Sequence, residues 1–313
     1  MSTWLVTGGA GFIGSHLCDA LRARGDDVRV LDDLSTGRQD NLPRGAQLLV
    51  GDVADPATVA EAMRGVDGCF HLAAIASVEK GVTDWLGTHR TNLTGTVTVL
   101  DTIRRQGRPI PVVYASSAAV YGDVAALPIT EATPCRPVSA YGADKYGCEQ
   151  HARVASTVHG IPTVGLRFFN VYGPRQDPKS PYSGVISIFC ERIGAGVPIT
   201  IYGDGQQTRD FIYVADVVRA LLAAMAQRPA TPSVFNVCSG TPISVAALAA
   251  LIADLAGRKL DVRTGPPRAG EIRHSLGDPA PADAALGLGG RTGLRDGLAQ
   301  VLAWLIATQT RAA

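Results

Sequence analysis

Short, nearly continuous apolar runs alternate with amphipathic stretches through the first half of the chain. The runs are TWLVTG, DVRVLDD, AQLLVGDV, GCFHLAA and IPVVYASS. Such runs, which lack a polar face, indicate strands covered on both sides, as in a parallel sheet. Helical stretches lie near 13–24, 56–64, 84–105 and 140–159. The alternation predicts βαβ units with right-handed crossovers, and hence an α/β fold with a Rossmann-type doubly wound parallel sheet.

The pattern loosens after about residue 168. A loop rich in proline, glycine and serine, at 173–184, is too long for a simple connector, so we expect it to be functional. The later elements are predicted as a helix near 185–195, the strand PITIYG, a helix near 214–228, the strand SVFNV, and helices near 244–256 and 294–308. We expect a Rossmann domain over 1–168 and a smaller C-terminal α/β substrate-binding domain over 169–313. Parts near 209–241 are expected to return to the first domain, and a cleft to lie between the two.

Composition and charge exclude several classes of protein. The 313 residues are 46% apolar and 18% charged, which suits a globular protein with a substantial core. A net charge of +1 gives no reason to expect nucleic acid or a membrane surface as a partner. The first residues lack the basic start and unbroken apolar run of a signal peptide, and no apolar run is long enough to cross a bilayer. We therefore expect a cytoplasmic protein.

The six cysteines and six histidines are dispersed along the chain. No two cysteines are three residues apart, and most lie in apolar contexts such as VDGCFHLAA. We expect buried thiols of a reducing compartment, in preference to disulfides or a metal site. No pair of histidines has the spacing of metal ligands, so no metal is expected.

The glycine-rich stretch LVTGGAGFIGSHL joins the first predicted strand to the first predicted helix. Gly8, Gly11 and Gly14 allow a tight turn, a close approach of the backbone to a pyrophosphate, and close packing of helix on strand. The helix N-terminus then offers free N–H groups and a partial positive charge to the phosphates. Asp32 lies at the end of the second strand, where a carboxylate accepts hydrogen bonds from ribose hydroxyls and repels a 2′-phosphate. The stretch predicts NAD, in preference to NADP, as the cofactor.

Two further motifs carry candidate acid–base chemistry. Ser116 and Ser117 end the fifth predicted strand, and open α/β sheets bind ligands at the carboxyl ends of their strands. Tyr141 and Lys145 follow on the next helix, four residues apart and therefore on one face. A phenol with its ordinary pKa of about 10 is a poor base at neutral pH, but a neighbouring ammonium and the positive nicotinamide ring favour the phenolate. The phenolate can take a proton from a substrate hydroxyl during oxidation by NAD, while a serine hydroxyl holds the substrate oxygen in line.

These motifs resemble those of the extended short-chain dehydrogenase/reductase superfamily, in its NAD-dependent epimerase/dehydratase branch. The chain is most similar to the UDP-glucose/UDP-galactose 4-epimerase type, over nearly its whole length. The resemblance rests on TGGAGFIGSHL, HLAA, SSAAVYG, YGADKYGCE, LRFFNVYGPRQDP, GDGQQTRDFIYVADV, FNVCSG and RAGEIRHSL. It implies Ser117, Tyr141 and Lys145 as the catalytic residues. It also implies NAD bound to the domain over 1–168, and a UDP-sugar in the cleft.

The resemblance extends to individual cofactor contacts. Phe169 matches a residue beside the nicotinamide, and Thr91 matches a position that in some relatives is an asparagine contacting NAD. The expected NAD contacts are Gly8, Gly11, Phe12, Ile13, Gly14, Asp32, Asp33, Leu34, Ser35, Thr36, Gly37, Asp52, Val53, Leu72, Ala73, Ala74, Thr91, Ser116, Tyr141, Lys145 and Phe169.

Substrate contacts are implied in the same way. Arg209 and Arg268 match two arginines that clamp the diphosphate, since a guanidinium makes paired, charge-assisted bonds to phosphate oxygens. Asn170 matches an asparagine that binds the pyrophosphate or the sugar, and Tyr202 is expected to stack on uracil. The expected substrate contacts are Ser77, Ser117, Tyr141, Asn170, Val185, Ile186, Arg192, Thr200, Tyr202, Arg209, Arg268 and Ser275.

The substituents of the sugar stay open. Ser275 matches a gate beside the sugar, where a tyrosine restricts the pocket to plain hexoses and a small residue leaves room for an N-acetyl group. A uronate is the third option, and Arg192 or Ser77 would then face its carboxylate. A solvated Arg192, and core roles for Val185 and Ile186, are the alternatives.

The residues after Ser117 narrow the reaction. Dehydratases and UDP-glucuronate decarboxylases of the branch place an acidic residue directly after the hydroxyl residue, whereas Ala118 and Ala119 stand here. This favours 4-epimerisation by oxidation at C4, rotation of the 4-keto sugar and hydride return. A dehydratase or reductase of the branch, or a non-catalytic NAD-binding regulator, is the alternative. Relatives commonly dimerise through the helices that match 84–105 and 140–159, so we expect a homodimer.

Overall fold

The computed structural model describes residues 1–178, 180, 184–227, 233–267 and 272–312. Its strands are β1 (Thr3–Thr7), β2 (Asp27–Asp32), β3 (Gln47–Val50), β4 (Gly68–His71), β5 (Val112–Ser117), β6 (Thr163–Phe168), β7 (Asn170–Tyr172), β8 (Ile199–Tyr202), β9 (Thr208–Tyr213), β10 (Ser233–Val237), β11 (Pro242–Ser244) and β12 (Val262–Gly265). Its helices are α1 (Phe12–Ala23), α2 (Pro56–Ala62), α3 (Val78–Thr83), α4 (Trp85–His89), α5 (Gly95–Gln106), α6 (Ala140–His159), α7 (Val185–Gly194), α8 (Val214–Gln227), α9 (Val245–Ala256), α10 (Ala280–Leu286) and α11 (Leu294–Ala312). A π-helical turn, Arg90–Thr94, joins α4 to α5.

Seven parallel strands form the central sheet, in the order β10–β6–β5–β4–β1–β2–β3. The chain enters at β1 and winds outward first in one direction and then in the other. At the point of reversal, Thr7 pairs with Leu31 of β2 on one side and with His71 of β4 on the other. This is the doubly wound Rossmann arrangement, whose ligands bind beyond the carboxyl ends of the strands at the reversal. The predicted fold class is confirmed.

Apolar side chains cover both faces of this sheet. Val6 of β1 packs in a cluster with Leu17 of α1 and Leu221 of α8. Its neighbour Leu5 enters a different cluster, with Val99 of α5. Consecutive residues of a strand point to opposite faces, so burial on both faces makes the whole strand apolar. This explains the unbroken apolar runs of the sequence.

The chain after β6 builds two smaller sheets and also completes the large one. β9 lies between β7, which runs parallel to it, and β11, which runs antiparallel, while β8 pairs with β12. Helices α7, α9 and α11 pack together in a third hydrophobic cluster that includes Phe189, Leu248 and Leu298. β10, by contrast, pairs with β6 at the edge of the central sheet.

Some elements depart from the apolar pattern of the sequence. β6 lies inside the central sheet, although TVGLRF contains a glycine and an arginine and was not expected as a strand. The helix predicted near 84–105 is interrupted by the π turn. Asn92 lies in that turn, where its side chain accepts a hydrogen bond from the amide of Ile75 and donates one to the carbonyl oxygen of Ile75. The side chain of Asn92 thereby ties the π turn to the segment that follows β4.

Two further features of the fold concern the cysteine side chains and the length and apolar character of the helices. All six cysteines are free thiols, and only Cys135 among them is not fully buried. Burial raises the pKa of Cys18 and of Cys190 to about 12, so these thiols stay protonated and unreactive at neutral pH. Among the described helices, none combines the length and the apolar character that crossing a membrane requires.

Candidate active site

The glycine-rich turn between β1 and α1 is shaped by close backbone contacts. Gly8 has a φ of +69°, and a Cβ atom there would lie 2.7 Å from the amide nitrogen of Ala73. A Cβ atom at Gly14 would overlap the carbonyl oxygen of Gly8. Gly11 caps α1 without a side-chain hydrogen bond, and no acidic residue lies in the first turn. No side-chain cap therefore uses the first N–H groups of α1, and their partial positive charge favours an anion.

Asp32 lies at the carboxyl end of β2, beside the glycine-rich turn. Its carboxylate accepts hydrogen bonds of 2.9 Å from the amides of Ala10 and Leu34. Burial raises the pKa of the Asp32 carboxyl, and the two amide bonds oppose that rise. Gly37 packs against the same group, since a Cβ atom there would lie 2.7 Å from Oδ1 of Asp32. The loop after β2 thus wraps an oriented carboxylate, which is the arrangement that binds an adenosine ribose.

The other predicted cofactor contacts in the first hundred residues border the same edge of the sheet. They lie in the first turn of α1, after β2, β3 and β4, and in the π turn, and they are Phe12, Ile13, Asp33, Leu34, Ser35, Thr36, Asp52, Val53, Leu72, Ala73, Ala74 and Thr91. Two of their carboxylates have local partners. Asp33 accepts hydrogen bonds from the amide and the hydroxyl of Ser35, and Asp52 forms an ion pair with Arg90 of the π turn.

Tyr141 and Lys145 lie on the first two turns of α6. Ser139 caps this helix by accepting a hydrogen bond of 3.1 Å from the amide of Gly142, so the helix begins directly before Tyr141. The Lys145 ammonium lies 6.0 Å from the centroid of the Tyr141 ring and donates a hydrogen bond of 2.8 Å to the carbonyl oxygen of Ala115. Lys145 is buried and Tyr141 is half-buried. The ammonium is thus held between the end of β5 and the phenol ring.

Ser117 is the last residue of β5, two positions after Ala115. Its hydroxyl oxygen accepts a hydrogen bond of 3.1 Å from the amide of Ala119. A hydroxyl that accepts one bond can still donate its own hydrogen to a ligand oxygen. Lys145 is bonded to the carbonyl oxygen of Ala115, and Ser117 lies two residues further along the same strand. The structure thus brings the three predicted catalytic residues to one edge of the sheet.

His71 is buried at the end of β4, close to Lys145. Its Nδ1 lies 2.8 Å from Oγ1 of Thr7, and its Nε2 lies 3.0 Å from Oγ1 of Thr96. Burial, with a smaller effect from the positive charge of Lys145, lowers the pKa of His71 to about 3. His71 is therefore neutral at physiological pH and adds no second positive charge beside Lys145.

Predicted substrate residues collect around β9. Asn170 is the first residue of β7 and pairs with Phe211 of β9. Arg209 lies two residues before Phe211 in β9. Ser275 donates its amide hydrogen to the carbonyl oxygen of Thr208, over 3.2 Å. Asn170, Arg209 and Ser275 are thereby placed on adjacent segments.

The segment that carries Ser275 is fixed on its far side as well. The amide of Ile129 donates to the carbonyl oxygen of Leu276 at 2.8 Å, and the amide of Asp278 donates to the carbonyl oxygen of Ile129 at 2.9 Å. Backbone bonds to two different segments hold Ser275 between them. The backbone at the predicted gate is therefore fixed. The space left beside it depends on the size of the side chain at position 275.

Gly277 connects this segment to Phe169. A Cβ atom at Gly277 would lie 2.7 Å from the Phe169 ring. The fully buried carboxylate of Asp210 accepts the amide hydrogen of Gly277 at 3.2 Å, together with the amide and hydroxyl of Ser239 at 2.7 Å. Burial raises the pKa of the Asp210 carboxyl, and these hydrogen bonds oppose the rise. The Phe169 ring, the predicted neighbour of the nicotinamide, therefore packs against the segment of the predicted sugar gate, at a glycine two residues after Ser275.

Thr200 and Tyr202 lie on one exposed face of β8. Gly265 of β12 pairs with Tyr202, and a Cβ atom at Gly265 would lie 2.9 Å from the Tyr202 ring. The ring therefore lies over the backbone of Gly265.

Several other predicted substrate residues make contacts within the protein. Ser77 is buried and caps α3 through its hydroxyl. Val185 and Ile186 open α7, and Ile186 is buried in the hydrophobic cluster of α7, α9 and α11. Arg192 is exposed on the last turn of α7, where its Nε donates a hydrogen bond to a carbonyl oxygen of the following turn. Arg268 lies outside the described residues.

Comparison with known proteins assigns the chain to a family. Residues 4–238 match the NAD dependent epimerase/dehydratase family. The chain belongs to this family. A UDP-glucose 4-epimerase of Mycolicibacterium smegmatis is 36% identical over 306 residues, which are 95% of this chain and 96% of that relative.

Solved structures of epimerases agree with this chain over nearly all of their length. The UDP-glucose 4-epimerase of Thermotoga maritima with UDP-glucose is 35% identical and has a TM-score of 0.93, covering 98% of this chain and 99% of the other. The UDP-N-acetylglucosamine 4-epimerase of Methanobrevibacter ruminantium in complex with UDP-N-acetylmuramic acid is 33% identical, with a TM-score of 0.92 and the same coverage. The family resemblance that the sequence motifs predict is confirmed.

The chain's own residues fit the NAD that this epimerase/dehydratase family uses. The backbone approach between Gly8 and Gly14 leaves no room for a Cβ atom, and the N-terminus of α1 is free of a side-chain cap. The carboxylate of Asp32 uses one bond per oxygen for the backbone, and each oxygen has further acceptor capacity for ribose hydroxyls. Groups that could bind phosphate and ribose are thus both present where the strand order of the sheet reverses.

Several polar residues that support the site were missed by the sequence reasoning. Asn92 fixes the segment after β4, and Asp210 fixes Gly277. Glu149 and Arg167 form a buried ion pair between α6 and β6. Arg167 stands inside the otherwise apolar run GLRFF, and a charge in such a run is a signal that would have found it. Asp210 follows Arg209 and directly precedes the run FIYV, so its signal in the sequence is weaker.

Proposed function

We propose that this member of the NAD dependent epimerase/dehydratase family is a UDP-sugar 4-epimerase, an isomerase. UDP-glucose and UDP-galactose are the default pair, and UDP-N-acetylhexosamine and UDP-glucuronate are the further candidates. The observation that carries the proposal is the placement of the Lys145 ammonium beside the Tyr141 ring, with Ser117 at the end of the adjoining strand. The two residues after Ser117 are alanines, so elimination of water would lack an acid there.

NAD is the proposed resident cofactor. The glycine-rich turn and the N-terminus of α1 would hold its pyrophosphate, and Asp32 its adenosine ribose. Phe169, Tyr141 and Lys145 would lie at its nicotinamide end. Bound NAD supplies reversible two-electron oxidation at C4 of the sugar.

The chain's own residues then divide the acid–base work. Tyr141 would take the proton of the sugar's 4-hydroxyl and return it, and Lys145 would favour the phenolate by its charge. Ser117 would donate its hydroxyl hydrogen to the sugar oxygen and hold it in line. Since Lys145 is fixed by Ala115, it can act on Tyr141 without moving between half-reactions.

The substrate would lie across β7, β8 and β9. Arg209 and Asn170 would bind the diphosphate or the sugar, and Arg268 is proposed as the second clamp. Tyr202 would stack on uracil, with Thr200 beside it. Ser275 would bound the sugar pocket on the same segment as Gly277, which packs against the Phe169 ring.

We also propose a homodimer that works in the cytoplasm. Helices α5 and α6 pack side by side, and α6 exposes Val154 and Val158, while Trp85 and Leu86 are exposed on α4. A second copy that packs against this surface would cover these apolar side chains. The free, mostly buried thiols suit a reducing compartment. Light scattering that finds a dimer for the wild type, and monomer for a Val158→Arg variant, would support the interface; a wild-type monomer at working concentration would refute it.

The division of labour between two parts of the chain is proposed on the same grounds. Residues 1–168 would bind NAD, and residues 169–313 would mainly bind the UDP-sugar, with parts near 209–241 returning to the first domain. The position of β10 in the central sheet supports the return.

An NMR assay of the purified protein tests the reaction. UDP-glucose, UDP-N-acetylglucosamine and UDP-glucuronate are supplied in separate tubes, first without and then with added NAD. Appearance of a 4-epimer is the expected result, and the fastest tube identifies the sugar. A 4-keto-6-deoxy product would instead identify a dehydratase, and the absence of any product with NAD present would refute the proposal.

A further inference from the structure

Glu149 lies on the same face of α6 as the proposed acid–base residues. It follows Lys145 by four residues and Tyr141 by eight, which is one and two helical turns. Glu149 and Arg167 of β6 are both buried. Arg167 donates from Nε to Oε1 of Glu149 at 2.8 Å and from Nη2 to Oε2 at 2.7 Å. This two-pronged geometry fixes the carboxylate in both position and plane.

Ser116 connects this ion pair to the strand that ends in Ser117. The buried Ser116 hydroxyl donates a hydrogen bond of 2.5 Å to Oε1 of Glu149. One residue earlier, the carbonyl of Ala115 accepts the hydrogen bond of the Lys145 ammonium at 2.8 Å. Helix α6 is therefore attached to β5 at two consecutive residues directly before Ser117. These two attachments determine where Tyr141 on the helix stands relative to Ser117 on the strand.

The third guanidinium nitrogen of Arg167 is also held. Its Nη1 donates to the hydroxyl oxygen of Tyr121 at 2.7 Å, and that hydroxyl donates to Oδ1 of Asn236 at 2.6 Å. Asn236 in turn donates from Nδ2 to the carbonyl oxygen of Ile129 at 3.0 Å. Ile129 is the residue that exchanges backbone hydrogen bonds with the Ser275 segment. Both the Glu149 carboxylate and the Arg167 guanidinium therefore have hydrogen-bond partners outside the ion pair itself.

Stability alone is a weak reason for such a pair. Desolvating two charges costs about as much as their attraction returns, and apolar replacements are often neutral or stabilising. What the pair provides here is a fixed geometry between three elements that meet under the active site. The Ser116 hydroxyl is committed to Glu149, although the sequence motif suggested it as a contact of the cofactor.

We propose that Ser116, Glu149 and Arg167 form a positioning unit that sets the spacing between the Ser117 hydroxyl and the Tyr141 phenol. This inference rests on the proposed roles of Ser117 and Tyr141. Ser116 acts through Glu149 on the helix and strand. Misplacement of reacting groups by about 1 Å can cost about a hundredfold in rate, so loss of the unit lowers kcat more than substrate binding.

The test compares Ser116→Ala, Ser116→Thr, Glu149→Gln and the double variant Ser116→Ala/Glu149→Gln. We expect Ser116→Ala and Glu149→Gln each to lower kcat by about tenfold or more, with KM and NAD content within about twofold of wild type. Since both residues belong to one hydrogen-bonded unit, the losses are not additive, and the double variant loses less than the product of the two single losses. Ser116→Thr keeps a hydroxyl and restores most of the rate.

A cavity variant far from the site controls for general destabilisation. Met63→Ala removes a buried side chain beside α2 and lowers the melting temperature without changing kcat below the transition. If the Ser116 and Glu149 variants behave like Met63→Ala, with a lower melting temperature but an unchanged kcat below the transition, the positioning unit is refuted. A fall in NAD content with unchanged kcat per bound NAD would refute it too, and would make Ser116 a cofactor contact. If Glu149→Gln does not fold, the two Ser116 variants carry the test.

Two further measurements separate this inference from the proposed function. Normal turnover by Tyr141→Phe would refute the site assignment. An inactive Tyr141→Phe together with a fully active Ser116→Ala would refute the positioning unit alone. Crystal structures of the wild type and of Ser116→Ala test the inference without any measurement of activity. The separation of the Ser117 and Tyr141 oxygens is expected to change by about 1 Å in the variant. An unchanged separation overturns the inference whatever the reaction is.

Discussion

The ammonium of Lys145 lies 6.0 Å from the centre of the Tyr141 ring and is tied to the carbonyl oxygen of Ala115 by a hydrogen bond of 2.8 Å. A lysine side chain is ordinarily free to adopt many rotamers, and burial with a fixed acceptor removes that freedom. The distance between the charge and the phenol is therefore a property of the fold. Since Ala115 also stands two residues before Ser117, one backbone stretch carries Ser117 and holds Lys145, the two residues proposed to act with Tyr141.

Removal of the Tyr141 hydroxyl tests the acid–base role. Tyr141→Phe keeps the ring and the helix, and we expect kcat to fall by about 10²- to 10⁴-fold, the usual contribution of a general acid–base group. Turnover is measured by NMR with the preferred UDP-sugar. Tyr213→Phe is the matched control, since it removes a hydroxyl that bonds to Gln300 in the C-terminal part of the chain, at 2.7 Å. A Tyr141→Phe variant within a few-fold of Tyr213→Phe would show that another group moves the proton.

The gate at Ser275 makes a prediction about sugar size. Because the backbone on both sides of Ser275 is pinned, a larger side chain there cannot be relieved by moving the segment. We expect Ser275→Tyr to lower kcat/KM for UDP-N-acetylglucosamine by at least about tenfold relative to UDP-glucose. Because kcat/KM for both substrates is measured on the same variant, any loss of folded protein cancels in the ratio of the two values. An unchanged ratio would place the sugar's C2 substituent away from Ser275.

The glycine-rich turn makes a prediction about cofactor content. A Cβ atom at Gly14 would overlap the backbone of Gly8, so Gly14→Ala forces α1 away from β1 and disturbs the phosphate site. We expect protein purified with little or no NAD, measured by the nucleotide released on denaturation. Gly194→Ala is the matched control, because nothing lies within 4 Å of a Cβ atom there. Full NAD content in Gly14→Ala would contradict a phosphate site at this turn.

The buried His71 makes a prediction about acid stability. Its pKa is lowered to about 3 in the folded protein from 6.5 in the unfolded chain. Between these values the unfolded chain binds a proton that the folded protein does not, so the free energy of unfolding falls as pH falls below 6.5. The loss attributable to His71 is about 2 kcal/mol by about pH 5.

Substitution of His71 isolates this effect. His71→Asn lowers stability at neutral pH, since it disturbs the bonds to Thr7 and Thr96, but it makes the decline from pH 7 to pH 5 about 2 kcal/mol shallower in urea unfolding. His159→Asn, which changes an exposed histidine at the end of α6, is the control substitution. Equal slopes in the wild type and His71→Asn would show that His71 binds its proton as readily in the folded protein as in the unfolded chain.

Local sequence patterns predicted the parts of the site that one strand and one helix define. The glycine-rich turn, Asp32 at the end of β2, and Tyr141 with Lys145 one turn later each depend on spacing within a single βα unit, and spacing is visible in a sequence. The apolar runs predicted the sheet because both of its faces are covered, as Leu5 and Val6 show.

Contacts between distant segments were beyond such patterns. The acceptor of Lys145 is a backbone carbonyl of β5, and the partner of Glu149 lies 18 residues away in a strand that the pattern missed. Asp210 finds Gly277 across 67 residues. Each of these pairs depends on how elements that are distant in the sequence pack against one another, and a single sequence gives no signal for that. Nor does it show that Arg192 is bonded to a neighbouring carbonyl.

A 4-epimerase of the proposed type inverts C4 of a UDP-sugar without releasing the hydrogen of that carbon to water. The most direct test supplies UDP-glucose carrying deuterium at C4 to the purified protein in ordinary water, and follows the products by NMR and mass spectrometry. We expect UDP-galactose that keeps the deuterium. Loss of the label to water, or no 4-epimer from any of the three UDP-sugars with NAD present, would refute hydride return to C4.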